Sequence, residues 1–165
     1  MSCEHTPKTL QVSAGGEHSL VLLASGHVKS FGACGLGWSR LCSDDSVLSG
    51  LYKCKSAGLE KKAVQIAAGA YHNVAVTEGG QVLTWGCGVF TDGNSDGAIP
   101  ALGMPRSTTV ENTEPRALPA HPVLSAGVRT AAAGGYHTVL LTRDSPARVL
   151  TFGAAQLGQL GRQPQ

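Results

Sequence analysis

The chain is poor in the residues that mark several classes of protein. Aromatic residues make up only 5% and charged residues only 15% of its 165 residues, and the net charge is +2. So small an excess of positive charge does not indicate a nucleic-acid partner. No run of about 18 apolar residues occurs, so no membrane span is expected. Residues 1–11 lack the apolar centre of a secretory signal, and we expect a cytoplasmic or nuclear protein.

The cysteines are too irregular in number and spacing to indicate a disulfide framework. The five cysteines are odd in number, and no two of them form a Cys-x-x-Cys motif. We therefore interpret them as free thiols of a reducing compartment. Cys34 and Cys87 each follow closely on an aromatic-Gly dipeptide. Because no obvious base stands near them, they are predicted to be packed thiols rather than nucleophiles.

Glycine, in contrast, is abundant, and much of it belongs to a phrase that occurs three times. The phrase is a run of small residues, then Gly-x-x-His, an apolar strand, a polar turn and an aromatic-Gly dipeptide. Such recurrence indicates a repeat architecture, and glycine permits the tight turns that many short strands require. The three copies contain Gly15, His18, Phe31 and Gly32, then Gly69, His72, Trp85 and Gly86, and finally Gly134, His137, Phe152 and Gly153.

Each copy of the phrase predicts a hairpin with a further strand before it. In the second copy, Asn73–Thr77 and Gln81–Trp85 are β-forming runs on either side of a short Gly-containing turn, which is typical of a hairpin. One further strand would be added to each hairpin by the runs Leu10–Ser13, Ala63–Ile66 and Gly127–Thr130. Helical periodicity is weak, so the predicted fold class is all-β. The predicted repeat units are residues 10–62, 63–126 and 127–165.

These residues resemble the regulator of chromosome condensation repeat family, whose members form seven-bladed β-propellers. The family pattern is a small-residue run, Gly-x-x-His-Ser/Thr, an apolar strand, aromatic-Gly and then Gly-Gln-Leu-Gly. The third copy matches this pattern to its end, at residues 152–161. The first copy no longer matches at residues 37–40, and the second has Asn73 in place of Ser or Thr. The resemblance implies a single partial propeller over residues 1–165, with about three four-stranded antiparallel blades. Three units cannot close a seven-bladed ring, so we expect self-association or other blades to complete it.

The recurring residues are predicted to be architectural. The glycine before each histidine would permit a tight bend where a β-carbon would clash, and the aromatic residue would fill the space between blades. The histidine can bridge backbone groups with its two ring nitrogens. Repetition favours this interpretation, because a catalytic protein needs one active site, whereas a propeller needs the same structural contacts in every blade. The alternative, a metal site shared by the three histidines, would require three blades to aim their rings at one point.

Two segments outside the repeated phrase are candidates for binding. Asp92, Asn94 and Asp96 stand at the alternating positions of a calcium loop, but Gly103 occupies the twelfth position, where that loop has glutamate. A solvated turn is therefore the preferred interpretation, with calcium as the alternative. A group of cations would form either a solvated face or a docking patch for an acidic partner, and it consists of Lys53, Lys55, Lys61 and Lys62.

No set of residues converges on a catalytic arrangement, so we expect neither an enzyme nor a bound cofactor. Ser19 and Thr138 directly follow histidines, but adjacent residues of a strand point to opposite faces. The leading hypothesis is a non-catalytic protein-interaction or scaffold module. The alternative is the activity that the resemblance implies for the family's founding member, guanine nucleotide exchange on a small GTPase. Val89–Ala126 would then be the protruding segment.

Overall fold

The computed structural model describes residues 8–32, 61–87, 101–104 and 111–162, and these form an all-β structure, as predicted. Ten strands form three antiparallel sheets, with one 3-10 turn at Pro122–Leu124. Sheet I contains β1 (Thr9–Ala14), β2 (His18–Leu23) and β3 (Val28–Gly32). Sheet II contains β4 (Ala63–Ala68), β5 (His72–Thr77), β6 (Val82–Cys87) and β7 (Glu111–Ala117). Sheet III contains β8 (Val128–Ala133), β9 (His137–Thr142) and β10 (Val149–Gly153).

The three sheets share one strand register, which makes the repeats equivalent position by position. Ala14 pairs with Ser19 in sheet I, as Ala68 pairs with Asn73 in sheet II. The first strand of every sheet carries a register shift near its start. The sheets therefore repeat their irregularities as well as their regular pairing.

The number of strands differs between the sheets. Four-stranded blades were expected throughout, and sheet II has four strands because β7 joins the outer side of β6. Sheets I and III have three strands each among the described residues. The small-residue run of the third copy was also expected to follow its first strand. Instead, it lies within β8, because residues 131–133 pair with β9.

The hydrophobic cores lie between neighbouring sheets. One face of sheet I packs on sheet II, and the opposite face of sheet II packs on sheet III. Val74 and Ala75 are adjacent in β5, yet Ala75 enters the first core and Val74 the second, because successive side chains of a strand point to opposite faces. This face-to-face succession of short twisted sheets is the arrangement of propeller blades. No helix among the described residues is long and apolar enough to cross a membrane.

Candidate functional site

The repeated histidines join neighbouring sheets. Nε2 of His18 lies 2.7 Å from Oδ1 of Asn73, and Nε2 of His72 lies 2.9 Å from Oγ1 of Thr138. In both cases the partner is the residue that directly follows the histidine of the next repeat. We expected each ring to bridge backbone groups, but these rings bond to a side chain of the neighbouring sheet.

The contacts of His72 show which of its nitrogens carries the proton. The hydroxyl of Thr138 donates to the carbonyl oxygen of Ala101 at 3.0 Å, so its oxygen accepts the hydrogen on Nε2 of His72. Nδ1 of His72 is buried and has no hydrogen-bond partner. The ring can therefore only donate to the hydroxyl and cannot act as a base toward it. This histidine and threonine form a structural pair rather than a nucleophile and its base.

The buried histidines favour the neutral ring. Burial, together with the charges that His137 and His18 would carry, lowers the pKa of His72 from 6.5 to about 4. Burial also lowers the pKa of His18, although its hydrogen bond to Asn73 acts in the opposite direction. These interactions lie inside the stack of sheets, so protonation of the rings opposes folding.

Glycine is required at two points of the repeated phrase. At Gly69, a β-carbon would overlap the ring of His72 and would stand 2.6 Å from the carbonyl oxygen of Gly134 in the next sheet. The glycine after the aromatic residue has a positive φ, +111° at Gly153, where a β-carbon would also meet the carbonyl oxygen of Tyr136. The phrase therefore specifies a close approach between sheets and a backbone conformation that other residues rarely adopt.

Two glutamines that the sequence analysis did not single out also connect the sheets. The side-chain amide of Gln11 donates to the carbonyl oxygen of Ile66 at 2.8 Å and accepts from the backbone N–H of Ile66 at 2.9 Å. Gln65 forms the same pair of bonds with Ala131, at 2.6 and 2.7 Å. Each glutamine stands four residues before the glycine of its repeat, and Thr130 holds this position in sheet III. The shared spacing is the signal that could have identified them.

We expect Gln65→Ala to lower the free energy of unfolding by about 1–2 kcal/mol, because it removes both bonds and leaves the backbone groups of Ala131 without their partner. Urea unfolding followed by circular dichroism measures this change. Gln81→Ala is the matched control, because Gln81 is exposed at the β5–β6 turn. Equal stability of the two variants would contradict a contribution from the amide bridge.

The aromatic residues of the phrase lie at the sheet contacts where their side chains are described. Trp85 is fully buried in the core between sheets I and II, and Phe152 packs against the core between sheets II and III. The backbone of Phe31 belongs to β3, but its side chain lies outside the described part of the structure. Nε1 of Trp85 is buried without a hydrogen-bond partner. Packing rather than polar bonding therefore holds this indole.

The remaining candidates from the sequence are only partly described. Lys61 and Lys62 are exposed, whereas Lys53 and Lys55 lie outside the described residues. The candidate calcium ligands Asp92, Asn94 and Asp96, and the thiols of Cys34 and Cys87, also lie outside the described part. Within residues 8–32, 61–87, 101–104 and 111–162, no group of three His, Cys, Asp or Glu side chains could hold a metal ion.

The outward face of sheet I carries apolar side chains that none of the other described residues covers, and Lys29 lies among them, opposite Val21. We call it the leading face and define it by Val12, Ala14 and Val21. Val12 is 70% exposed, whereas Ile66, at the equivalent position of sheet II, is 1% exposed beneath sheet I. The leading face thus repeats a surface that is buried in sheet II, where sheet I precedes it.

The outward face of sheet III also carries exposed apolar side chains. We call it the trailing face and define it by Val139, Leu141 and Val149. Val149 is 65% exposed, and the other two side chains are partly exposed. The equivalent residues in the other sheets are all buried between sheets, and they are Leu20, Leu22 and Val28 in sheet I and Val74, Val76 and Val82 in sheet II.

Comparison with known proteins agrees with this geometry. The family model described as the regulator of chromosome condensation (RCC1) repeat matches residues 10–35 and 63–93. The solved structure of Prp20p from Saccharomyces cerevisiae matches with a TM-score of 0.72 and 25% identity over 95% of this chain and 35% of the other. The chain contains RCC1-type repeats. Its three sheets therefore correspond to propeller blades, and they form part of a propeller.

RCC1-type relatives are similar to the chain over almost all of its length. It is 36% identical to the regulator of chromosome condensation of Mus musculus over 156 residues, which are 94% of this chain and 33% of that protein. It is 32% identical to the probable E3 ubiquitin-protein ligase HERC6 of Homo sapiens, over 95% of this chain and 14% of that protein. The chain spans about one third of the length of the regulators of chromosome condensation that it matches in mouse, human and Xenopus laevis.

Proposed function

We propose that the chain is a non-catalytic protein-interaction module whose apolar outer faces are covered by further blades, from a second copy or from a larger partner. The leading and trailing faces carry this proposal, because their equivalents inside the chain are buried between sheets. The repeated histidines give further support. His18 and His72 are engaged between the sheets, so they serve the scaffold rather than a reaction.

The relatives support a protein partner. The solved structure of Prp20p is described together with its binding to Gsp1p and histones, and a second structure shows Kap60 bound to yeast RCC1. We propose that this chain also binds proteins through its surface loops, and that it acts in the nucleus or cytoplasm. Lys61 and Lys62 are the two exposed, described members of the predicted docking patch, which also includes Lys53 and Lys55.

The binding proposal is tested with purified Gsp1p and core histones as probes for the immobilised chain. We expect at least one probe to bind. If an acidic surface of the probe docks on the cations, replacing all four lysines with serine is expected to weaken binding about tenfold, through slower association. The control replaces the exposed Lys8 and Arg162 with serine. Absence of binding to both probes would contradict the proposal for these partners, and equal weakening by the control would contradict a specific patch.

Guanine nucleotide exchange on a small GTPase is a second candidate, favoured by the likeness to Prp20p and to the regulators of chromosome condensation. An exchange factor stabilises the nucleotide-free GTPase and needs no nucleophile. Val89–Ala126 does not protrude throughout, because Ala101 and Leu102 are buried and β7 belongs to sheet II. We expect the rest of this segment to contact the GTPase in that case. Release of a fluorescent guanine nucleotide from a panel of small GTPases tests this activity. Release at the intrinsic rate for every member of the panel would eliminate it.

A further inference from the structure

We propose that the trailing face of one chain packs on the leading face of a second copy, so that two chains pair head to tail. This inference rests on the proposed function and names the partner of its two apolar faces. The contacts between sheets I and II and between sheets II and III supply the template, because all three sheets share one register. In each of these contacts, one sheet presents its trailing side to the leading side of the next.

The apolar side chains of the two faces match this template. Inside the chain, Leu20, Leu22 and Val28 of one sheet pack on residues that include Ile66 and Ala75 of the next. In the proposed contact, the trailing face takes the place of the first set, and Val12 and Val21 of the second copy take the place of the second. These residues are apolar, whereas Lys29 of the second copy takes the place of Leu83, so its charged end must reach solvent at the edge of the contact. Burial of the apolar area is the main favourable term in association.

The polar groups at this contact also have counterparts. His72 donates to the hydroxyl of Thr138 in the next sheet. His137 occupies the equivalent position in sheet III, and Ser19 of a second copy would present a hydroxyl at the position of Thr138, since both directly follow the histidine of their repeat. The contact would thus retain the bond between histidine and hydroxyl that the chain already uses.

The glutamine bridge of the template is missing from the proposed contact, and restoring it provides a specific test. Gln11 and Gln65 each bridge both backbone groups of a residue in the next sheet. Thr130 is at the equivalent position of sheet III, where it pairs with Leu141 as Gln65 pairs with Val76. The shorter threonine side chain cannot form two such bonds. The contact between copies is therefore expected to be weaker than the contacts within the chain.

The described residues of each chain form three sheets, so two chains supply six, within the range of about four to eight blades that propellers have. The leading and trailing faces are different surfaces, so the contact is heterologous. Two copies related by a twofold axis would form the same contact twice and leave neither face uncovered.

Light scattering over a concentration series measures the association, with folding checked by circular dichroism. We expect dimers of the chain, and monomers of both Val12→Asp and Val149→Asp, because each substitution introduces a charge into both contacts of the dimer. Val64→Asp is the matched control, since Val64 is a partly exposed valine on the interior sheet II, and we expect it to remain dimeric. A mixture of the two monomeric variants is expected to form a one-to-one heterodimer, because one of its two contacts carries neither substitution.

The variant Thr130→Gln tests the same contact by strengthening it. We expect its dimer to dissociate at a concentration at least about fivefold lower, because the glutamine can bridge the backbone groups of Val12 in the second copy. A monomeric chain at all concentrations, or a dimer that Val149→Asp leaves intact, would overturn the proposal. A monomer that still captured Gsp1p or histones would overturn this contact and leave the proposed function standing.

Discussion

Replacing Trp85 with alanine is expected to lower the free energy of unfolding by about 3–5 kcal/mol, the largest effect we predict for a single substitution. The indole is fully buried between sheets I and II and belongs to a core that both sheets share. Its loss would leave a cavity at the contact that positions one blade on the next. Because backbone strands surround the site on both sides, the cavity can collapse only if the two sheets move closer together.

Two further variants separate packing from hydrogen bonding at this position. Trp85→Phe introduces the residue found at the equivalent position 152, and it also removes a buried N–H that has no partner. We therefore expect it to cost much less than the alanine variant. Leu157→Ala is the control for lost apolar volume, because Leu157 is 92% exposed. Urea unfolding measures all three, and an alanine variant within about 1 kcal/mol of the parent would contradict the structural role of the indole.

The hairpins could be predicted from the sequence because their signals are local. Asn73–Thr77 and Gln81–Trp85 were predicted as strands, and the structure has them as His72–Thr77 and Val82–Cys87. The alternation of side chains and the Gly-containing turn lie within a few residues of each other, so one repeat is enough to identify them. The repetition then identified the blades.

The partners of the histidine rings could not be predicted from a single repeat. Nε2 of His18 bonds to Asn73, which lies in the next repeat and is also where the second copy departs from the family pattern. The departure preserves the contact, because an amide oxygen can accept the hydrogen bond as a hydroxyl oxygen does. A residue that weakens the match to a motif can therefore perform the same function in the structure.

The fourth strand of sheet II was harder to predict. The predicted four-stranded blade requires one more strand in the second repeat, but the bounds of that strand, Glu111–Ala117, have no counterpart in a repeated pattern. The strand contains Pro115, which cannot donate a hydrogen bond and is therefore tolerated at the outer strand of a sheet. Without alternating apolar residues or a repeated neighbour, only the pairing with β6 identifies it as a strand.

Acidification is expected to destabilise the fold by about 3 kcal/mol through His72 alone. The pKa of His72 is lowered from 6.5 to about 4 in the folded protein, so the unfolded chain binds a proton more readily than the folded one between these values. The contribution of the neutral ring to stability is therefore complete above pH 6.5. It is lost as the pH falls toward 4, and below that value the loss stops growing. The lowered pKa of His18 adds to the loss in the same direction.

The titration of His72 is measured by urea unfolding between pH 4 and pH 8 for the parent and for His72→Gln. The glutamine can still donate a hydrogen bond to Thr138 but cannot take up a proton in this range, so we expect the variant to lose most of the pH dependence. His27→Gln is the matched control, because His27 is exposed at the β2–β3 turn, and we expect it to retain the parent profile. An unchanged profile in His72→Gln would show that other groups cause the loss of stability in acid. It would also remove the evidence that the ring must stay neutral for the blades to pack.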